Sequence, residues 1–278
     1  MARDRRGGDL NGYQETGRHE FKYVLPLSAR AEVLRIIGDH AEPDPYATAR
    51  EDGLVGYYNH TIYLDTADLR GYHERLSERR LRNRLRVRTY GRSGDGAPVF
   101  LEIKRKVEEW VVKHRVRVCD ADTWMAHPHD RPWIEHATAA RGDGRSAATH
   151  FLRLVEDSGV PVSRVQYFRE AYVDRRGDGY ARARLTLDRE VSAAARPDGR
   201  RLYGPSDVEL IPRDWMVMEL KYSRDRPRWM REICRELRLR ALPVPKFGLS
   251  VARSVRAGCE QEQRRLMPRS IRQVGWSP

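Results

Sequence analysis

The sequence predicts a fold of the α+β class in which β-strands account for most of the ordered chain. Six segments alternate polar and apolar residues with a period of two, which is typical of strands. Three further segments repeat apolar residues at helical spacing, and a length of 278 residues suits one large unit. We therefore expect a single domain at 18–256, between a flexible N-terminal arm at 1–17 and a loose basic tail at 257–278.

The period-two pattern predicts strands at 18–24, 82–90, 100–107, 110–118, 180–189 and 215–223. The helical pattern predicts helices at 28–40, 147–158 and 227–240. Ser28 is the expected N-cap of the first helix, and Pro227 lies in the first turn of the last.

The chain is strongly basic, with 53 Lys and Arg against 40 Asp and Glu and a formal net charge of +13. Such an excess suits nucleic acid, an anionic membrane surface or a polyphosphorylated small molecule. No apolar run is long enough for a membrane span or a signal peptide, so we expect neither a transmembrane nor a secreted protein. The 3 cysteines lack zinc or redox spacing, which favours a cytoplasmic location.

The charged faces of the predicted strands consist mostly of bases. Strand 82–90 aligns arginines on one face, and strand 110–118 aligns a lysine with arginines. Like charges on neighbouring strands repel, so a folded sheet tolerates them only where an anion shares the surface. An open nucleic-acid groove meets this condition. So does a closed barrel whose polar face points inward and whose apolar outer face is covered by helices.

Three of the predicted strands share a Glu-apolar-Lys triplet. Residues i and i+2 lie on one face of a strand, so each triplet sets a carboxylate beside an ammonium. Cross-strand ion pairing would explain a single triplet, but the triplets include three of only six lysines. A carboxylate among bases also suits a divalent cation that bridges to a phosphate chain. The triplets are Glu20-Phe21-Lys22, Glu102-Ile103-Lys104 and Glu219-Leu220-Lys221.

Eight motifs occur in the order seen in VTC domains, the catalytic modules of vacuolar transporter chaperone polyphosphate polymerases. They are RHEFKY (18–23), YLDT (63–66), RLRVRTYG (84–91), FLEIKRK (100–106), YFREAY (167–172), RLTLD (184–188), MELKYS (218–223) and PKFG (245–248). The chain resembles this family over about residues 15–256. The family belongs to the triphosphate tunnel metalloenzymes. The resemblance therefore implies an antiparallel β-barrel with a basic polar lumen and helices packed on the outside.

The resemblance also implies a reaction. It is the transfer of the γ-phosphate of a nucleoside triphosphate, expected to be ATP, onto an inorganic polyphosphate chain. The implied cofactor is a divalent metal, manganese with magnesium as the alternative. Glu219 matches the family's metal-binding glutamate, and Glu20 resembles a metal-holding glutamate of the wider superfamily.

By motif match, the residues implied to hold triphosphate and product chain are Lys22, Arg86, Arg88, Lys104, Lys113, Arg169, Arg184 and Lys246. Further bases expected to bind substrate are Arg18, Arg84, Lys106, Arg115, Arg182 and Lys221. In the segment KHRVR, Lys113 and Arg115 lie on one face, and either could match the family's base.

Two other functions stay open. One is a tripolyphosphatase or nucleoside triphosphatase of the same superfamily, in which water replaces the acceptor phosphate. The other is a non-catalytic module that binds polyphosphate or nucleic acid, whose open basic face would need no glutamate triplets. We expect a nucleoside triphosphate and inorganic polyphosphate as partners, and no nucleic acid. Two alternatives remain for the product: synthesis is soluble, or a separate membrane subunit receives the chain.

Overall fold

The structure is a computed structural model. The predicted arm lies outside its described residues except for 14–15, and the predicted tail lies wholly outside them. Two of the bases expected to bind substrate, Arg18 and Arg182, also lie outside them. The described residues are 14–15, 19–107, 110–155, 159–176, 183–223 and 225–255.

The strands form a large antiparallel sheet, so the α+β class is confirmed. In chain order they are β1 (Gln14–Glu15), β2 (His19–Pro26), β3 (Ala41–Pro43), β4 (Thr48–Ala49), β5 (Val55–Asp65), β6 (Leu81–Tyr90), β7 (Pro98–Val107), β8 (Trp110–Asp120), β9 (Val160–Asp174), β10 (Arg184–Ala195), β11 (Val208–Glu209) and β12 (Trp215–Tyr222). Their hydrogen-bonded order is β1-β8-β7-β6-β5-β9-β10-β12-β2, with β11 on β10, β3 on β9 and β4 on β5. Among the described strands no pairing joins β1 to β2, so the closed barrel stays a prediction.

The helices are α1 (Arg30–Ile37), α2 (Arg70–Leu76), α3 (Ala121–Met125), α4 (Pro132–Ala139), α5 (Gly144–Val155), α6 (Arg228–Glu236) and α7 (Lys246–Ser250). The three predicted helices are present as α1, α5 and α6. α1 and α6 are shorter than their patterns, whereas α5 begins three residues before its predicted start. The expected N-cap at Ser28 is wrong. Ser28 lies inside a 3-10 turn at Leu27–Ala29, and Ala29 caps α1 without a side-chain hydrogen bond.

Contacts divide the chain into two compact units. Of the described residues, the first comprises 14–15, 60–107, 110–155, 159–164 and 196–204. Its core joins the apolar faces of β5, β6, β7 and β8 to α3, α4 and α5. Core side chains include Leu101, Ile103, Trp124, Trp133 and Phe151. Because successive strand residues point to opposite faces, Arg84, Arg86 and Arg88 of β6, Lys104 and Lys106 of β7, and Lys113 and Arg115 of β8 lie on the side away from this core.

The second unit comprises the described residues 19–59, 165–176, 183–195, 205–223 and 225–255. Its core joins the apolar faces of β2, β10 and β12 to α1 and α6. Leu185, Met218, Ile36 and Ile233 are buried there. Glu20 and Lys22 of β2, Arg184 and Asp188 of β10, and Glu219 and Lys221 of β12 therefore also lie on the face away from the helices.

The motif YFREAY divides its charges between the two faces of β9. Arg169 lies on the polar face, and Glu170 lies on the opposite face, where it is fully buried. Glu170 accepts hydrogen bonds from Arg30 Nε at 2.9 Å and Arg30 Nη2 at 2.6 Å, and from the Tyr172 hydroxyl at 3.2 Å. These bonds fix the first residue of α1 to the sheet.

The aspartate of the motif YLDT organises the start of α2. Asp65 accepts backbone hydrogen bonds from Thr66 at 2.8 Å, Gly71 at 2.9 Å and Tyr72 at 2.9 Å. These amides have no partner within the helix, so the buried carboxylate satisfies donors that would otherwise lose their hydrogen bonds.

Asp65→Ala is therefore expected to lower the free energy of unfolding by about 2 kcal/mol, since it removes charge-assisted bonds at a buried helix start. Urea denaturation of both proteins would measure the difference. Asp68→Ala, at an exposed aspartate beside the same helix, should change stability by less than about 0.5 kcal/mol. Equal stability of Asp65→Ala and the unaltered protein would contradict this role for Asp65.

Candidate functional sites

The first candidate site lies on the polar face of β2 and β12 in the second unit. Antiparallel pairing places Glu219 opposite Lys22 and Lys221 opposite Glu20. Lys22 Nζ lies 3.0 Å from Glu20 Oε1 and 3.7 Å from Glu219 Oε1. Lys221 Nζ lies 3.0 Å from Glu219 Oε2 and 3.6 Å from Glu20 Oε2. The two triplets thus interlock as a closed ring of alternating charge.

Three buried side chains adjoin this ring. Arg169 Nη2 lies 3.3 Å from Glu219 Oε2, and Lys246 Nζ lies 3.5 Å from Glu219 Oε1. Asp188 accepts hydrogen bonds from Arg169 Nε at 2.5 Å and from Lys246 Nζ at 2.6 Å. The Glu219 cluster, as we call it, consists of Glu20, Lys22, Arg169, Asp188, Glu219, Lys221 and Lys246.

Opposite charges in the Glu219 cluster outweigh the effect of burial. Burial alone would raise the pKa of Glu219, but Lys221, Lys246 and the other bases hold that pKa well below its ordinary value. Burial would lower the pKa of Lys22, but Glu219 and Glu20 raise it above its ordinary value. The pKa of Lys246 is raised against burial in the same way, by Asp188 and Glu219. These three groups are therefore charged at neutral pH.

Arg184 lies beside the Glu219 cluster on the polar face of β10, opposite Lys221 of β12. Its Nη2 donates a hydrogen bond to the Tyr57 hydroxyl at 2.6 Å and lies 2.8 Å from Asp44 Oδ2. Asp44 is buried. Arg184 therefore has a carboxylate partner of its own, outside the cluster.

The second candidate site lies on the polar faces of β6, β7 and β8 in the first unit. Glu102 of β7 lies opposite Arg86 of β6 and Arg115 of β8. Its fully buried carboxylate is 2.5 Å from Arg86 Nε and 2.9 Å from Lys113 Nζ. Arg115 Nε and Arg88 Nε follow at 3.5 Å and 3.7 Å. We call these five residues the Glu102 cluster.

Lys113 and Arg115 both contact Glu102 Oε1, so the structure places both in the Glu102 cluster, and which of them matches the family's base stays open. Burial alone would raise the pKa of Glu102, but its four basic neighbours hold that pKa well below the ordinary value. Burial and the nearby arginines lower the pKa of Lys113, against the opposing effect of Glu102. One carboxylate thus balances only part of the surrounding positive charge.

The bases next to the Glu102 cluster increase this excess. The registers place Arg84, Lys104 and Lys113 directly opposite one another across three strands, and Lys106 opposite Arg82. Burial lowers the pKa of Arg84 to about 10, and neighbouring arginines add to the effect. Like charges in direct opposition destabilise a sheet. Their accumulation on one face indicates that an anion is the intended partner of this surface.

The described members of the predicted site are therefore distributed over two clusters. The Glu219 cluster contains Glu20, Lys22, Arg169, Glu219, Lys221 and Lys246, and the Glu102 cluster contains Arg86, Arg88, Lys113 and Arg115. Arg84, Lys104, Lys106 and Arg184 lie beside them on the same polar faces. The roles of these residues in binding and catalysis stay predictions.

Two residues that contact Arg169 and Lys246 were not among the predicted site residues. Asp188 shares the polar face of its strand with Arg184, so the period-two pattern could have pointed to it. Tyr167 lies within the motif YFREAY, and its ring centroid is 4.7 Å from Lys246 Nζ and 5.2 Å from Arg169 Cζ. At these distances a ring face attracts a cation.

The cluster carboxylates suit a divalent cation as a partial ligand set. Among the described residues, no group of three or more His, Cys, Asp or Glu side chains is arranged to hold a metal. Glu20 and Glu219 instead share the same two lysines, at opposite corners of the charged ring. One or two carboxylates, completed by phosphate oxygens and water, are a usual Mg²⁺ site in phosphoryl-transfer proteins. Glu219 and Glu20 fit that chemistry.

Buried glutamates surrounded by bases on the polar faces of an antiparallel sheet are typical of a protein that binds phosphate groups. Residues 17–255 match the family model described as the VTC domain, and the chain belongs to this family. The family is associated with polyphosphate synthesis and includes polyphosphate polymerases. No match is found among curated proteins. In the part of the chain that the structure describes, no helix has the length and apolar character to cross a membrane.

Proposed function

We propose that this chain is a polyphosphate polymerase, which transfers the γ-phosphate of ATP onto an inorganic polyphosphate chain. The observation that best supports the proposal is the charge of the Glu102 cluster, where four bases surround one buried carboxylate. A polyanion supplies the missing negative charge. Membership in a family associated with polyphosphate synthesis supports a phosphate chain as this polyanion.

The two clusters suggest different roles within this function. The Glu102 cluster and its neighbouring row have the larger excess of bases, which suits binding of an extended phosphate chain. The Glu219 cluster combines the buried Lys246 and the half-buried Lys22 and Lys221 with carboxylates that can hold a metal, which suits the reacting phosphates. Closure of the sheet into a barrel with a basic lumen, as the resemblance implies, belongs to this proposal.

Phosphoryl transfer requires positioning and positive charge more than a protein nucleophile, because negative charge spreads over the equatorial oxygens in the transition state. Lys22, Arg169 and Lys246 would bind the non-bridging oxygens of the nucleotide. A terminal oxygen of the acceptor chain attacks the γ-phosphorus in line, and the bond to the β-phosphate oxygen breaks to release nucleoside diphosphate. A manganese ion held by Glu219 and Glu20 would neutralise charge on the phosphate oxygens when bound.

Incubation of the purified chain with ATP and manganese tests the proposal. We expect long chains on a polyphosphate-stained gel, nucleoside diphosphate as the co-product, and loss of both with a chelator. A parallel assay for orthophosphate identifies the hydrolase alternative, in which orthophosphate is the only phosphate product. Polyphosphate binding that is steeply salt-dependent and unaffected by chelator, without turnover, would identify a binding module instead. Either of these results would contradict the proposal.

A further inference from the structure

Asp188 forms its ion pairs with Arg169 and Lys246, the two buried bases of the Glu219 cluster. Its side chain is fully buried. Oδ1 accepts a hydrogen bond from Arg169 Nε at 2.5 Å, and Oδ2 accepts from Arg169 Nη2 at 2.7 Å and from Lys246 Nζ at 2.6 Å. The Arg169 fork is therefore held in a bidentate contact, which fixes the plane of its guanidinium.

The contacts of Asp188 differ from those of a metal ligand. Both of its oxygens accept short, charge-assisted hydrogen bonds, whereas the carboxylate oxygens of Glu219 lie between 3.0 and 3.7 Å from the nitrogens of its four bases. If a cation displaced Arg169 and Lys246 from Asp188, the buried carboxylate would lose its hydrogen-bond donors, which is costly. Asp188 is thus placed to stay with Arg169 and Lys246 rather than to exchange them for a cation.

Arg169 and Lys246 are also directed toward Glu219 by this arrangement. Arg169 Nη2 reaches Glu219 Oε2 at 3.3 Å while it donates to Asp188, and Lys246 Nζ reaches Glu219 Oε1 at 3.5 Å in the same way. The Tyr167 ring lies against both bases. Asp188 and Tyr167 together restrict where the two cationic groups can lie.

We propose that Asp188 is a positioning residue, which holds the cationic groups of Arg169 and Lys246 where a phosphate chain binds. This inference rests on the proposed function, and it adds a residue to which no role was assigned. It explains why a site for an anion contains a fully buried carboxylate that is paired with two of the site's bases.

Positioning and simple charge balance predict opposite results when Asp188 is neutralised. The Glu219 cluster has four bases and three acids, so Asp188→Asn would change its formal charge from 4 − 3 = +1 to 4 − 2 = +2. If Asp188 only competed with phosphate for the bases, tripolyphosphate would bind the variant more tightly. If Asp188 positions the bases, tripolyphosphate would bind less tightly despite the added positive charge.

The experiment is titration calorimetry of the full chain with tripolyphosphate, without metal and without turnover. We expect Asp188→Asn to weaken binding at least about tenfold, since binding groups must be held within about 0.5 Å of their productive geometry. Asp188→Glu keeps the charge but moves the carboxylate by one methylene, and we expect it to weaken binding as well. Unchanged or tighter binding in Asp188→Asn, or unchanged binding in Asp188→Glu, would overturn the proposal.

Glu170→Gln is the matched control. Glu170 is as buried as Asp188 and also pairs with an arginine, Arg30, but it lies on the opposite face of the sheet, on the neighbouring strand β9. We expect the substitution to lower the melting temperature but leave tripolyphosphate affinity unchanged, which separates loss of stability from loss of positioning. Weakened binding in this control to the level of Asp188→Asn would also overturn the proposal. The polymerase assay is independent of this test, since absence of polyphosphate from the unaltered protein refutes the proposed function alone.

Discussion

Glu219→Gln is expected to abolish polyphosphate synthesis while the chain stays folded. The substitution keeps the size of the side chain but removes the charge that four bases surround and that would hold manganese. We expect turnover to fall by at least about a hundredfold, the loss typical when one electrostatic contact to a transition state is removed. A polyphosphate-stained gel and a coupled assay for nucleoside diphosphate would measure it.

Two further readouts make the Glu219 result specific. Manganese titration should show weaker binding to Glu219→Gln, and circular dichroism should show an unchanged fold. Glu236→Gln is the control, because Glu236 lies on α6, outside the cluster, where it pairs with Arg35 at 3.0 Å. The control should retain full activity. Manganese-dependent synthesis that survives in Glu219→Gln would refute the assignment of Glu219.

Glu102→Gln is expected to have the largest effect on stability. It removes the only carboxylate of the Glu102 cluster and leaves four bases close together without counter-charge. Removal of one partner of a buried ion pair typically lowers the free energy of unfolding by about 3–5 kcal/mol. Denaturant unfolding would measure the loss. Glu135→Gln, at an exposed residue of α4, should change stability by less than about 0.5 kcal/mol.

The effect of Glu102→Gln should depend on anions and on pH. Tripolyphosphate should raise the melting temperature of the variant more than that of the unaltered protein, since it replaces the missing negative charge. The pKa of Glu102 is held well below its ordinary value in the folded state. Its carboxylate therefore contributes stability above about pH 4, and this contribution is lost as pH falls toward the folded-state pKa. The two proteins should converge in stability at acid pH, and a constant difference would contradict this account of Glu102.

The sequence was most informative where one face of a strand is apolar and the other is charged. β2, β6, β7, β8 and β12 have this pattern, and all were predicted. β5 (Val55–Asp65) and β9 (Val160–Asp174) were missed because most of their residues are buried in consecutive runs. Strands buried on both faces lose the alternation on which the prediction depends.

The grouping of site residues could be predicted only in part. The triplets set each Glu beside a Lys on one strand, but the pairing of β2 with β12 joins residues far apart in the chain. No local pattern states which strands pair, so the closed ring of charge was not predictable from spacing. Asp44 is a further example. It is not part of a strand or helix, and only the folded chain shows that it contacts Arg184.

The ring formed by Glu20, Lys22, Glu219 and Lys221 has a consequence for selectivity. Each lysine already has two internal counter-ions, so an incoming ligand must compete with carboxylates instead of water. A monovalent anion such as chloride would replace one lysine–carboxylate contact with one lysine–anion contact, so it would gain little binding free energy. A linear oligophosphate presents several charges on one backbone and can replace several contacts in a single binding event, as multivalent ligands do. We therefore expect the ring to select ligands by valence, favouring phosphate chains over simple monovalent salts.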